Sequence, residues 1–123
     1  MLLTNKQITY RLNIIALLMI VLTGCATTVP HQGCYVADSQ LRGRYTGECR
    51  GGKAYGWGKT IGRDTYEGEF IDGVPNGKGT YAWRDGDKYV GQLRNGKAHG
   101  QGVMIYANGT TRPGLWQDNR FVQ

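Results

Sequence analysis

Thr65–Asp87 reads TYEGEFIDGVPNGKGTYAWRDGD, and Lys88–Tyr106 continues KYVGQLRNGKAHGQGVMIY, so the second phrase keeps the landmarks of the first. Each opens on Tyr-x-Gly, reaches an Asp-Gly or Asn-Gly pair, and then a Gly-x-Gly. Working outward, the Tyr-x-Gly signal recurs at Tyr45/Gly47, Tyr66/Gly68 and Tyr89/Gly91, with Arg112/Gly114 as a degenerate fourth, at steps of 21, 23 and 23 residues. The glycines keep their offsets: Gly47, Gly52, Gly56 and Gly58; Gly68, Gly73, Gly77 and Gly79; Gly91, Gly96, Gly100 and Gly102. Self-similarity at such a period marks stacked supersecondary units rather than one irregular globule.

Turn chemistry divides each unit into two arms. Gly51-Gly52, Asp72-Gly73 and Asn95-Gly96 fall between arms, while Asp85-Gly86 and Asn108-Gly109 fall between units. Such pairs accept positive φ and are the strongest short-range hairpin signal. The expected fold is therefore all-β, an elongated single-layer antiparallel meander of β-hairpins. The return arm of the first unit is two residues shorter than its successors, which predicts a tighter connection after it. Alternation along a strand puts Tyr66, Gly68 and Phe70, then Tyr89, Gly91 and Leu93, then Arg112, Gly114 and Trp116 on one face. Gly77, Gly79, Tyr81 and Trp83, with Gly100, Gly102, Met104 and Tyr106, share it. A glycine in a strand interior weakens the strand, so their frequency predicts rings lying on bare backbone. Cys49 takes the Phe70/Leu93/Trp116 position.

YEGEFIDGVPNGKGTYAWRDGD and KYVGQLRNGKAHGQGVMIYANGT closely resemble the MORN (membrane occupation and recognition nexus) repeat, with its Tyr-x-Gly opening, central Asn/Asp-Gly and closing His-Gly-x-Gly. The resemblance runs from Arg44 to Gln123 as units near 44–64, 65–87 and 88–110 with a partial 111–123. The first unit has Tyr55 and the second Asn76 where the third has His99, and the fourth lacks its tyrosine. The resemblance implies a twisted, grooved sheet of hairpins serving as a scaffold or membrane-proximal module, and it implies no activity.

The N-terminus supplies an address. Lys6 and Arg11 precede the nine-residue apolar run Ile14–Leu22, a signal-peptide pattern well short of the roughly 20 residues of a membrane-spanning helix. Leu22-Thr23-Gly24-Cys25 resembles the lipobox of bacterial lipoproteins, which implies cleavage of residues 1–24 and lipidation of Cys25. The alternative is an ordinary secretory signal with a chance cysteine. Residues 25–32 would be a lipidated tether, and 33–123 the repeat domain. Ala26, in place of the aspartate that favours inner-membrane retention in lipoproteins, implies an outer membrane, facing the periplasm, if the envelope has two. In an oxidising compartment Cys34 and Cys49 are an even pair fit for a disulfide; free thiols or an intermolecular bridge are the alternatives.

The full chain carries fifteen basic and nine acidic residues; without Lys6 and Arg11 the excess falls to four, and the signs are interspersed. Nucleic-acid binding normally shows a clustered basic stripe, so no nucleic-acid partner is expected. Catalytic material is thin. Ser39 is the only serine, and the two histidines are His31 and His99, so a Ser-His-acid set would require the lead to fold back on the sheet. Glu67 and Glu69 stand at i and i+2, roughly 6–7 Å apart by strand rise, a spacing near that of paired-carboxylate glycosidases. The resemblance places acids at both positions regardless, so no enzyme, cofactor or metal is expected. The aromatic strip Tyr66, Phe70, Tyr81, Trp83, Tyr89, Tyr106 and Trp116, with Trp57, is the candidate binding surface wherever it is not consumed by packing. The expected role is a non-catalytic protein-binding or scaffolding module at the cell envelope, its partner another envelope protein. Direct binding of peptidoglycan, lipopolysaccharide or anionic lipid head groups through the rings is the alternative.

Overall fold

A computed structural model describes residues 33–123. The signal, the lipobox with Cys25, and the tether lie outside the described residues. Eight strands follow one another: β1 (Arg44–Arg50), β2 (Lys53–Ile61), β3 (Thr65–Ile71), β4 (Val74–Ala82), β5 (Lys88–Arg94), β6 (Lys97–Ile105), β7 (Thr111–Gln117) and β8 (Arg120–Phe121). They form one antiparallel sheet in which every strand lies beside its chain neighbour, the all-β meander that the doubled phrase predicts.

The turns explain the order. Both central residues have positive φ in all four inner turns: Gly51 (56°) and Gly52 (73°), Asp72 (49°) and Gly73 (81°), Asn95 (50°) and Gly96 (75°), Asp118 (46°) and Asn119 (68°). This is the type I′ geometry, whose twist matches that of the flanking strands. The connections between units work differently, since there only Gly86 (102°) and Gly109 (87°) enter the left-handed region. Gly86 N–H bonds to the Trp83 carbonyl (3.1 Å) and Trp83 N–H to that of Asp87 (2.9 Å), a turn closed by one left-handed glycine rather than by an Asp-Gly pair. After β2 the chain needs only residues 62–64 to reach β3, with Gly62 N–H bonded to the Asp64 carbonyl (2.9 Å). The shortened first unit is tighter as expected.

Register carries the ring-and-glycine arrangement across the sheet. Tyr66 pairs with Tyr81, Gly68 with Gly79, and Phe70 with Pro75; Tyr89, Gly91 and Leu93 pair with Met104, Gly102 and Ala98. From Gly68 to Phe70 one residue of β3 faces three of β4, so the return arm carries a two-residue bulge. The same bulge lies in β2 opposite Gly47/Glu48 and in β6 opposite Gly91/Leu93. It keeps the alternation intact, and the core face stays continuous through Ala54, Pro75 and Ala98.

Residues 33–43 fold back across that face. Tyr35 N–H bonds to the Gly52 carbonyl and Ala37 N–H to that of Gly73, both 2.8 Å, at the inner-turn end. At the far end the Thr60 hydroxyl donates to the Leu41 carbonyl (2.5 Å) and Asp64 N–H to the Gln40 carbonyl (2.9 Å). Cys34, Val36 and Leu41 thereby enter one buried cluster with Tyr45, Ala54, Tyr66, Phe70, Tyr81, Tyr89, Leu93, Ala98 and Trp116. The lead is a lid for the first two units, and the sheet is not a bare single layer there. A disulfide joins Cys34 to Cys49, tying the lid to the strand whose core position lacks a ring.

Candidate functional site

The predicted strip is the first candidate, and its rings behave as a core. Tyr66 and Tyr89 are 0 % exposed, and Phe70, Tyr81 and Trp116 are also buried. The opening tyrosine of each unit lies over the glycine pair beneath it: a Cβ added at Gly79 or Gly102 would collide with the Tyr66 or Tyr89 ring, and one at Gly58 with Tyr45. The hydroxyl then donates to the carbonyl three residues on, Tyr45 to Glu48 (2.7 Å), Tyr66 to Glu69 (3.0 Å) and Tyr89 to Gln92 (2.9 Å). Burial pushes the Tyr66 phenol far up, helped by the nearby Glu69 carboxylate, and burial raises Tyr45 and Tyr89 as well. Phe70 stands edge-on to both Tyr45 and Tyr66, with centroids 5.4 and 5.0 Å away. Where Arg112 replaces the tyrosine, its guanidinium covers the Phe121 ring at 4.7 Å, and the Trp116 indole donates to the Gly102 carbonyl (3.2 Å).

Five of the eight candidate rings are thus interior, consumed by packing rather than left as surface. The remaining three go separate ways. Tyr106 is half-buried in the connection after β6. Trp83, just past β4, is half-buried with its ring tilted over Tyr81 at 4.7 Å. Trp57 is on the opposite face and 57 % exposed. Tyr45, which the strip omitted, has the same Tyr-x-Gly signal and the same buried role.

The carboxylate pair is accounted for by the sheet. Glu67 forms a half-exposed ion pair with Lys59 (3.3 Å). Glu69 folds into the bulge of β4, where its Oε2 accepts Lys78 N–H (2.5 Å) and occupies the space a Cβ at Gly77 would need. Gln92 does the same beside Gly100, accepting Gln101 N–H (3.3 Å). The repeat therefore uses an acid or amide at this position to hold its own bulge, and Gly77 (φ 104°) and Gly100 (φ 86°) are left-handed to admit it. His99 Nδ1 is 3.6 Å from Asp118 Oδ1, beside the last inner turn. Ser39 belongs to the lid near the other end of the strands from His99, so among the described residues the two are not brought together.

The face opposite the rings is the surface left open. A shallow hollow of about 370 Å³ is lined by Trp57, Lys78, Thr80, Val90, Gln92 and Gln101, with Val90 42 % exposed. Register continues this apolar row through Val90, Val103 and Pro113. Toward the inner turns the same face carries Arg50 paired with Lys53, Arg94 with Lys97, and Gln117 with Arg120, all exposed. The arrangement offers an apolar furrow bordered by five cations, with the Ile71–Val74 pair between the first two and the rest.

A second hollow, of about 530 Å³, is lined by Gln40, Arg63, Asp64, Trp83, Arg84 and Asp85. Its floor is firmly built. The Tyr81 hydroxyl lies 3.1 Å from Asp64 Oδ2 and 3.2 Å from Asp38 Oδ2, and Arg84 N–H donates to Asp64 Oδ1 (3.0 Å). Burial, then the two carboxylates, drives the Tyr81 phenol far above its ordinary range, so it stays protonated as the hydrogen-bond donor that fastens lid to sheet.

Compared with known protein families, the chain matches the MORN repeat at residues 66–88 and 89–111. The two matched segments are the two strongest units of the sheet. The first unit and the terminal half-unit share the inner-turn geometry of those two.

Proposed function

We propose that this chain is a non-catalytic binding module, held at a cell envelope by a lipid on Cys25, that recognises a partner protein on the face opposite its rings. MORN repeats support a protein- or membrane-binding role in general. The observation that carries the specific reading is the division of the two faces. One is closed by packed rings and a lid, while the other leaves Trp57 and Val90 exposed around an apolar furrow. Exposed apolar surface rimmed by polar residues marks interaction sites, and tryptophan is enriched among residues that dominate interfaces. The cation row Arg50, Lys53, Arg94, Lys97 and Arg120 selects the partner's chemistry, since complementary charge steers encounter and suppresses wrong partners. The fitting partner is an envelope protein presenting aliphatic side chains flanked by carboxylates. The anchor reading rests on the lipobox and the short apolar run, and several acyl chains at roughly 0.8 kcal/mol per buried CH₂ would hold the chain firmly to one leaflet.

The test is photo-crosslinking in intact cells with a reactive residue at position 57 or 90, and with Trp57→Ala and Val90→Asp as competitors in binding to the captured protein. The reading expects one discrete adduct from these positions, weakened by both substitutions and by high salt. Adducts of equal yield from every exposed position would oppose it.

A further inference from the structure

The hollow beside Trp83 exists because two parts of the chain depart from the repeat. The connection after β2 is residues 62–64, whereas its neighbour after β4 is residues 83–87. The shorter loop leaves a step against the longer one. The lid supplies the third wall through Gln40, anchored where its carbonyl accepts Asp64 N–H (2.9 Å). A regular succession of 23-residue units would contain neither the step nor the wall.

The groups around the step are an uneven set. The Trp83 ring packs on Tyr81, with the planes at 37°, and the same half-buried side chain lines the hollow. The carboxylates are already engaged: Asp64 accepts from Tyr81 and from Arg84 N–H, and Asp85 Oδ1 accepts Asp87 N–H (3.0 Å). The guanidiniums are not. Among the described residues the ion pairs are Lys59–Glu67 and His99–Asp118, so Arg63 and Arg84 line the hollow with their charge uncommitted. An aromatic plate, two guanidinium forks outside any ion pair, two hydrogen-bonded carboxylates and a carboxamide around a volume of about 530 Å³ form a definite chemical description. The plate takes an apolar ring face, the forks take an oxyanion in two-point contact, and Gln40 meets hydroxyls.

We propose that this hollow is a binding site for one residue of an acidic saccharide, a sugar carrying a carboxylate or phosphate, stacked on Trp83 with its acid between Arg63 and Arg84. The site is on the connection end of the sheet, apart from the furrow at Trp57, and it stands or falls independently of the protein-binding reading. Trp83 is the platform and the two arginines set the preference for acid over neutral sugar.

The experiment titrates the full chain with a trigalacturonate as the acidic probe and a neutral galactose trimer as its control, followed by tryptophan indole N–H and backbone amide NMR shifts. The expected result is saturable movement of the Trp83 indole and the Arg84 amide with the acidic probe, and binding of the neutral probe weaker by about tenfold, the scale of one charge-assisted hydrogen bond. Arg63→Gln with Arg84→Gln should bring the acidic probe down to the neutral level; both side chains are exposed, so the fold is kept. Read at the Arg84 amide, Trp83→Ala should abolish the response to both probes, while Trp83→Phe, which keeps an aromatic ring on Tyr81, should retain a weakened one. Equal affinity for the two probes, no saturable shift with either, or shifts centred on Trp57 and Val90 would each overturn the assignment.

Discussion

The Tyr66 ring occupies the space that a Cβ on Gly79 would fill, and its hydroxyl ends 3.0 Å from the Glu69 carbonyl. This one relationship joins two strands at three points: the ring starts on β3, covers a glycine of β4, and returns its polar tip to its own strand beside the bulge. Tyr45 over Gly58 and Tyr89 over Gly102 repeat it, so the stability of the sheet is distributed over copies of the same contact.

Gly79→Ala and Gly68→Val should therefore destabilise the fold by about 3 kcal/mol, the upper part of the range for forcing bulk into a packed core. The added carbon meets an aromatic ring and facing backbone, neither of which can yield. Lys78→Ala, one residue away on the exposed face, should stay within about 0.5 kcal/mol. Chemical denaturation of the three variants checks this, and equal losses would contradict the ring-on-glycine packing.

Stability should fall in alkali. The Tyr45, Tyr66, Tyr81 and Tyr89 phenols all titrate above the ordinary tyrosine value of 10.0 because burial disfavours their ionised forms. In the unfolded chain they lose protons near pH 10 while the folded chain retains them, so the folded state binds more protons and stability declines as pH rises. The contribution is whole below that pH. Thermal melts should be flat through neutral pH and drop steeply above about pH 10, and Tyr66→Phe should make the drop shallower, at a cost of about 1 kcal/mol at neutral pH for the lost hydrogen bond.

Reduction should loosen the lid. Cys34 and Cys49 close a loop of 15 residues, for which chain entropy gives about 3 kcal/mol. Cys34→Ala with Cys49→Ala should lower the denaturation midpoint accordingly. Hydrogen exchange should speed up first at the Tyr35, Ala37 and Asp64 amides, which hold the lid to the sheet.

Much of this was legible in the residues. Tyr-x-Gly and Asn-Gly at constant spacing state a hairpin ladder, because turn chemistry and side-chain alternation are local properties of a strand. The tight connection at residues 62–64 followed from a simple count, and the Cys34–Cys49 bridge from parity and compartment. The bulges were not visible: Glu69 and Gln92 look like solvated acid and amide until the two extra residues of the return arm are placed opposite them. The lid was missed because Val36 and Leu41 have no periodicity to announce them, and where an irregular segment lies is decided by tertiary packing. That omission left the strip open in the sequence reading, although the Tyr45 signal could have shown that the opening tyrosines are one structural class. The two rings proposed for binding, Trp57 and Trp83, both depart from the repeat.

Membrane attachment should depend on one thiol. Cys25→Ser, or inhibition of lipoprotein signal cleavage by globomycin, should move the protein out of the membrane fraction. Attachment unchanged by either treatment would remove the lipid anchor and leave the binding face to be explained without it.

The central claim is that the ring face is interior and the opposite face meets a partner protein, and photo-crosslinking at position 57 in intact cells tests it most directly. A single adduct from position 57, absent from an exposed control position such as 109 and lost with Val90→Asp, is the predicted result. Absence of any position-dependent adduct, in cells where the protein is folded and at its normal level, would contradict it.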